Sequence, residues 1–430
     1  MTFEGALRWV GVCVVSGWRT ASGPSAKKPM HFQMYALLSA SVVSTALSFD
    51  CSFASSYPRQ YIAYKVQADP VQDGTLQGPL WQEVSFTERF VDISTQTSPR
   101  LSTHAKVRWD DTFLYVGALL EEPQAFANIT STCHCLNNTQ DQVVFHDNDF
   151  EIFVDPSGTT HFYKEYEMNA LNATWDLQLN RPYDDGGGEN SSRVYGGAGW
   201  DYAPPIGGRQ TLHSAAHVWG GAVNNPSLGS TAWSVEVALP LAKLVENTPA
   251  TLPPVPGETF WRINFSRVEW AVKVVGGVYW KEPSCQSCPV PGAGNEDNWV
   301  WSPQGSIAMH LPEKWGFLQF EDGPVNASAL RVNREWPVRS VAAAVYYAQH
   351  AFAGDHGGNF TGTLSDLAPY LESPDIVDGT CTLGKPVSVA LWVDAGGGHR
   401  FNASIPPTSS GDPAVSATID DQRLLLTTHK

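Results

Sequence analysis

The sequence is short of charge, and short of basic charge above all. Only 16% of its 430 residues are Asp, Glu, Lys or Arg, where a soluble domain usually carries about a quarter. Lys and Arg number 27 against 43 Asp and Glu, giving a net charge of -16. Phosphate backbones and anionic lipid surfaces both require a basic face, so the net charge disfavours nucleic acid and anionic membranes as partners, while neutral sugars and cations stay open. Beyond residue 47 no segment approaches the roughly 20 continuous apolar residues of a membrane span. Also absent are a G-x-S-x-G nucleophile elbow, an H-E-x-x-H zinc helix, a G-x-x-x-x-G-K-[ST] phosphate loop and a G-x-G-x-x-G turn opening a helix. There is no internal repeat and no low-complexity tract.

What the chain has in quantity is turn residues and aromatic rings. With 37 glycines and 30 prolines, it suits many short strands joined by turns. Its length allows one large domain and a smaller one. The 16 tryptophans belong mostly to a core, yet flat rings on a β surface are also platforms for sugar stacking.

The N-terminal region reads as an export signal. Lys27 and Lys28 precede the apolar run Met34 to Leu47, followed by small residues up to Ser56, with cleavage expected between Ser48 and Ser56. A leader, Met1 to Pro29, stands before this signal, which makes Met30 or Met34 a candidate initiator. Sequons at Asn128, Asn137, Asn172, Asn190, Asn264, Asn326, Asn359 and Asn402 call for exposed positions in a secreted glycoprotein. Six cysteines follow the leader: Cys51, Cys133, Cys135, Cys285, Cys288 and Cys381. An even number suits disulfides in an oxidising compartment. The expectation is that the Cys133/Cys135 loop is stapled to itself or to the Cys285/Cys288 loop, with a structural zinc using these four and His134 as the alternative. The expected location is secreted or extracellular, the cell surface included.

From Tyr61 to Phe320 strands alternate with turns. The clearest hairpin runs from Thr103 to Leu120: Ala105, Val107 and Trp109 alternate with His104, Lys106 and Arg108, and Asp110-Asp111 turns the chain into the apolar run Phe113 to Leu120. This predicts a half-exposed strand beside a central one. Further strands are expected at 150–154, 162–169, 175–179, 212–218, 233–239, 260–269, 278–281 and 316–320. The fold class is therefore all-β, an antiparallel, jelly-roll-like β-sandwich. After Phe320 the pattern changes. Val338, Val341, Val345, Ala348 and Phe352 recur at helical spacing, and two stretches, Val387 to Val393 and Ala417 to Leu426, read as strands. The expected domains are a leader and signal over 1–56, the sandwich over 60–322, and a small α/β extension over 323–430 with its helix at about 336–353.

Chemistry concentrates on two adjacent strands. By alternation Asp149, Glu151, Phe153 and Asp155 share one face, and Glu165, Glu167 and Asn169 share one face of the next strand. Acids and amides can bond sugar hydroxyls over an aromatic floor. Asp147, Asp149 and Asp155 could instead ligate calcium. Glu151 with Glu165 or Glu167 could be the paired carboxylates of a glycosidase, or the acids could be solvated or paired with Arg108, Arg262 and Arg267.

Several segments, in order, resemble family 9 carbohydrate-binding modules: Tyr64 to Trp81 with Asp73-Gly74, Ala105-Lys-Val-Arg-Trp-Asp-Asp, Asp149-Phe-Glu-Ile-Phe-Val-Asp155, Trp233-Ser-Val-Glu-Val, Trp261-Arg-Ile-Asn-Phe-Ser-Arg267, Val278-Tyr-Trp-Lys, Trp299-Val-Trp-Ser-Pro and His310-Leu-Pro-Glu-Lys-Trp-Gly316. The resemblance implies a calcium-supported sandwich that accepts sugar, often attached to xylan- or cellulose-degrading enzymes. It also implies two tryptophans clamping a sugar while a glutamate, an arginine and an asparagine read its hydroxyls. Glu151 matches the glutamate, Trp299 one tryptophan, and Asn298 or Asn295 the amide. His146 stands where the second tryptophan is expected, and Glu167, two residues before Asn169, where the arginine is expected. Trp280, Trp301 and Trp315 are assigned to the core. Two other classes compete: a haem-binding sandwich using Met168, His161 and His310, and an extracellular sandwich that binds nothing small. The reading that follows is a secreted carbohydrate-binding protein associated with carbohydrate breakdown.

Overall fold

A computed structural model describes residues 48–66, 73–130, 143–190, 213–281, 296–411 and 413–430. The export signal, the four loop cysteines, His134, Asn137 and Asn295 lie outside the described residues. The fold set out below is that of the unit Phe49–Lys430.

In chain order the strands are β1 (Gln60–Lys65), β2 (Val91–Asp92), β3 (Thr103–Trp109), β4 (Phe113–Glu121), β5 (Asp149–Asp155), β6 (Tyr163–Asn169), β7 (Thr174–Leu179), β8 (Glu189–Asn190), β9 (His213–Trp219), β10 (Ala232–Pro240), β11 (Phe260–Trp270), β12 (Val272–Val275), β13 (Val278–Lys281), β14 (Glu296–Val300) and β15 (Gly316–Glu321). One hydrogen-bonded path, β8-β7-β6-β5-β11-β15-β1-β3-β4-β10-β9, curls over itself, with β14 and β2 branching from β11. Residues from its two halves meet in one core, which includes Val107, Val116 and Val237 from one side and Phe150, Met168 and Phe265 from the other.

The sandwich is thus as expected, with two differences. β1 runs parallel to both of its neighbours, β15 and β3. Strand periodicity sets which face a side chain takes; it says nothing about which distant strand lies alongside.

A second difference concerns β3, which is buried along its length except at the half-buried His104. Its polar side chains are occupied rather than solvated. The Lys106 ammonium donates to the Trp81 carbonyl and sits over the Phe86 ring, and the Arg108 guanidinium donates to the carbonyls of Tyr64, Leu80 and Lys65. Long basic side chains can bury their stems while their heads satisfy carbonyls, so an alternating pattern did not mean an exposed face.

Several of the recurring motifs are structural staples. The Glu236 carboxylate on β10 accepts from the amides of Asp73, Gly74 and Leu76 and from the Trp81 indole. Gly74 is required there: its φ is +79°, and a Cβ would lie 2.7 Å from the Ala216 backbone. The Trp109 indole bridges the carbonyls of Ala63 and Glu321.

After β15 the chain forms helix α1 (Trp336–Asp355) and a four-stranded antiparallel sheet of β16 (Ser388–Val393), β17 (His399–Ile405), β18 (Val415–Asp420) and β19 (Leu425–His429). Val338, Val341, Val345 and Ala348 on α1 are buried against Phe401, Ala403, Ala417 and Ile419. The single strand expected at 417–426 is two strands. The Asp420 carboxylate accepts from the amides of Gln422 and Leu424, and Arg423 takes a φ of 67°, which reverses the chain. β17 was not anticipated at all. Cys51 is disulfide-bonded to Cys381, tying the first described residues to this unit.

Candidate functional site

The register places the acids as alternation requires. Across β5 and β6, Asp149 stands opposite Asn169, Glu151 opposite Glu167 and Phe153 opposite Glu165. On the other side of β5, Ser266 of β11 faces Glu151 and Val268 faces Asp149. Oxygens of Asp149, Glu151 and Glu167 lie within 4.8 Å of one another, and all three residues are buried. Among the described residues no Lys or Arg pairs with them. Arg267 instead pairs with Glu122 at 3.1 Å and Glu269 at 2.8 Å, while Arg108 and Arg262 donate to carbonyls.

Three crowded carboxylates in a low-dielectric site resist ionisation. Burial pushes the Glu151 carboxyl up to about 7, against a hydrogen bond from Ser266 that favours the charged form. Asp149 and Glu167 are raised well above the ordinary carboxylate range, first by burial and then by neighbouring carboxylates, Glu151 foremost. Oδ2 of Asp149 and Oε2 of Glu167 accept no hydrogen bond among the described residues. A site of this kind holds protons, a cation, or the hydroxyls of a ligand.

Aromatic side chains flank it. Trp175 lies opposite Glu167, and the exposed Phe145 ring (38%) sits 6.1 Å from Trp175 and 4.5 Å from His146. Trp270, two residues beyond Val268 on the same face, donates its indole N–H to the Phe145 carbonyl. Lys281 caps the Trp270 ring at 3.5 Å and donates to the His146 carbonyl. Phe145, Trp175 and Trp270 were not singled out from the sequence. Their signal was weak, because Phe145 lies in a short 3-10 turn and the other two look like ordinary strand residues.

Other expected site residues fall elsewhere. Trp299 stands opposite Arg267 in the β14–β11 pairing, one residue out of phase with Glu151's partner Ser266. It therefore points into the sandwich core, is only 3% exposed, and lies under the guanidiniums of Arg267 and Arg100. Asn298 shares the acids' side of the sheet and is half-buried. Asn169 is fully committed: its amide donates to Ile129 and Asp147, and its oxygen accepts from Leu171 and Ala173. His146 is exposed beside Phe145.

The expected calcium set does not converge. Asp147 accepts from the amides of Asn128 and Ile129. Asp155, at the far end of β5, accepts from the amides of Ser157, Gly158 and Thr160 as a turn cap. Of the three only Asp149 remains, and its neighbours are Glu151 and Glu167. The haem set fails on geometry as well. Met168 is buried in the sandwich core, His310 contacts Phe153 and Tyr163 on the opposite face, and His161 is held by the Gln422 carbonyl. The glycosidase pair is likewise unsupported, since Glu151 and Glu167 stand side by side on adjacent strands of one sheet, not across a cleft. Trp301 and Trp315 are core residues, but Trp280, on the β12–β13 hairpin, is 57% exposed. Among the sequons, Asn264 is closed to modification: it is completely buried, with its amide bonded to Ser302.

The strands form a β-sandwich with an acidic cluster on one outer face. Residues 72–251 match the family described as "Carbohydrate family 9 binding domain-like". The match ends before β11, β14 and β15, which complete the sandwich. Among solved structures, a family 9 carbohydrate-binding module from Caldicellulosiruptor kristjanssonii in complex with cellotriose is similar at 15% identity, over 64% of this chain and all of that one, with a TM-score of 0.33. A family 9 carbohydrate-binding module from Caldicellulosiruptor kristjanssonii in complex with glucose aligns at 15% identity over 63% of this chain and 100% of that one, with a TM-score of 0.32. No curated protein matches.

Proposed function

We propose that this is a secreted carbohydrate-binding protein that acts alongside carbohydrate breakdown, and that its sugar site is the face formed by Glu151, Glu167 and Asp149 with Phe145, Trp175 and Trp270. The observation that carries the reading is the exposed Phe145 ring beside a carboxylate cluster, inside the stretch that matches a carbohydrate-binding family. A ring offers the apolar floor for sugar C–H groups, and carboxyl oxygens accept from or donate to hydroxyls. Export is supported by the apolar run after Lys28 in the sequence, by the Cys51–Cys381 disulfide, and by sequon residues Asn128, Asn172, Asn326 and Asn359 at exposed positions.

Calcium belongs to the same proposal, at a different set of residues from that expected. Two oxygens bound to one calcium at about 2.4 Å lie no more than about 4.8 Å apart, and the oxygens of Asp149, Glu151 and Glu167 meet that limit. The bare oxygens of Asp149 and Glu167 are the donors such an ion would take up.

Affinity electrophoresis through gels containing soluble polysaccharides, followed by calorimetry with cellotriose and other neutral oligosaccharides, tests the site. Phe145→Ala and Glu151→Gln are expected to abolish retention while the protein stays folded. Unchanged retention in both variants would rule this face out as the sugar site.

A further inference from the structure

A second concavity lies in the seam between the sandwich and the C-terminal unit. Its volume is about 880 Å³, and Gly158 and its neighbours in the turn after β5 form one wall. That turn follows Asp155, at the opposite end of β5 from Asp149, about 20 Å along the strand. The groove is therefore separate from the acid cluster.

Its charge runs against that of the protein. Four arginines border it, Arg262, Arg331, Arg334 and Arg339, against two glutamates, Glu258 and Glu335. Glu335 is already paired with Arg339 at 2.7 Å and contacts Nε2 of His429 at 2.6 Å, and Arg331 is paired with Glu321 at 2.5 Å. Among the described residues neither of the other two guanidiniums has an ion pair, nor does Glu258, although Asp155 and Glu313 act on Arg262 electrostatically. Arg334 is exposed and contacts Nδ1 of His429 at 3.2 Å. Arg262 is buried; it donates to the carbonyls of Trp315 and Glu313 and lies 4.2 Å over the Phe317 ring. Carbonyls satisfy its N–H groups but leave its charge in place, and low-dielectric walls focus the resulting field into the groove. Burial, with Arg339 nearby, pulls the Arg262 guanidinium down to about 9, which marks the cost of keeping that charge there.

We infer that this seam groove is a second binding site, for a saccharide that carries a carboxylate, as a uronic acid residue does. The planar guanidinium of Arg334 at the rim suits a carboxylate held by two parallel hydrogen bonds. Val255, Phe260 and Val332 supply apolar wall for the C–H faces of sugar rings. The saccharide part of the inference rests on the carbohydrate reading above; the anionic part rests on the groove alone.

Calorimetric titration of the full chain with trigalacturonic acid, cellotriose and inorganic sulfate tests it, using the native protein, Arg334→Ala, Arg334→Lys and Glu151→Gln. The acidic trisaccharide is expected to bind the native protein, about tenfold more weakly to Arg334→Ala, with partial recovery in Arg334→Lys and no change in Glu151→Gln. No binding of trigalacturonic acid, or equal binding to Arg334→Ala, overturns the inference. Sulfate binding as tightly as the trisaccharide overturns the saccharide assignment. Loss of cellotriose binding in Glu151→Gln without any acidic-sugar binding sinks the groove alone. The reverse pattern, acidic binding at the groove with cellotriose binding absent throughout, sinks the main site and leaves the groove standing.

Discussion

Glu151 and Trp299 belong to strands of the same sheet and point to opposite sides of it: Glu151 faces Ser266 across the ladder, and Trp299 faces Arg267. A sugar held by one cannot be stacked on the other. Trp299→Ala is therefore expected to act through the core, with a loss of about 3–5 kcal/mol in stability as for other buried aromatic truncations. Phe145→Ala removes a half-exposed ring and is expected to cost under about 1 kcal/mol while abolishing sugar retention. Urea unfolding paired with affinity electrophoresis separates the two. Equal stability losses in both variants would contradict the assignment.

The acid cluster makes stability depend on pH. A glutamate in the unfolded chain titrates near 4.5, whereas the buried Glu151 carboxyl titrates at about 7. Below 4.5 both states hold the proton and the group is neutral to folding. Between 4.5 and 7 only the folded state holds it, so the unfolded state is favoured increasingly. Above 7 the loss levels off, at about 3 kcal/mol for this one group. Denaturation midpoints measured from pH 4 to 8 should fall across that window, and Glu151→Gln should flatten the fall. A midpoint rising over the same range in the native protein alone would refute the cluster's contribution.

Calcium should reverse that loss, because a bound cation replaces the protons. Melting temperature at pH 7.5 is expected to rise with added calcium. The gain reaches about 2.7 kcal/mol at a hundredfold excess over the dissociation constant, and Asp149→Asn should abolish it. A calcium response that survives in Asp149→Asn places the ion elsewhere.

The link between Arg423 and Glu313 joins the C-terminal sheet to the sandwich, with Asp185 and Tyr346 completing a buried network. Breaking a buried pair on one side leaves the other charge uncompensated. Arg423→Ala is expected to cost about 3–5 kcal/mol and to expose the seam to limited proteolysis. Glu313→Gln should cost less, since it removes only one of two acids. Unchanged protease resistance in Arg423→Ala would show that the apolar contacts around Phe317 and Trp336 hold the seam unaided.

The Cys51–Cys381 disulfide pins the start of the described chain to the same unit. Replacing both cysteines with serine should lower stability by about 2–4 kcal/mol without altering sugar retention, since neither cysteine belongs to the acid cluster or to the rings beside it. Loss of retention in the double variant would couple the C-terminal unit to the site.

Much of this was legible in the sequence because strands impose a period of two on side chains. The acid face of β5 and β6, the burial of Phe150, Ile152 and Val154 behind it, and the helical stripe of α1 all follow from spacing alone. The segments around Glu236 and Trp109 stood out only through their resemblance to a family, and their side chains hold the chain's turns and crossings. What spacing could not supply is which strands become neighbours and in what phase. One residue of register between β11 and β14 sends Trp299 into the core. The partner of Cys51 lies 330 residues away, beyond any local signal. Phe145 becomes an exposed ring beside Trp175 only when the 3-10 turn before β5 is laid across β7. Sequence determined the sandwich and the chemistry of its acidic face; tertiary structure decided which rings border that face and placed four arginines around the groove at the seam, because both depend on contacts between segments that the chain brings together only on folding.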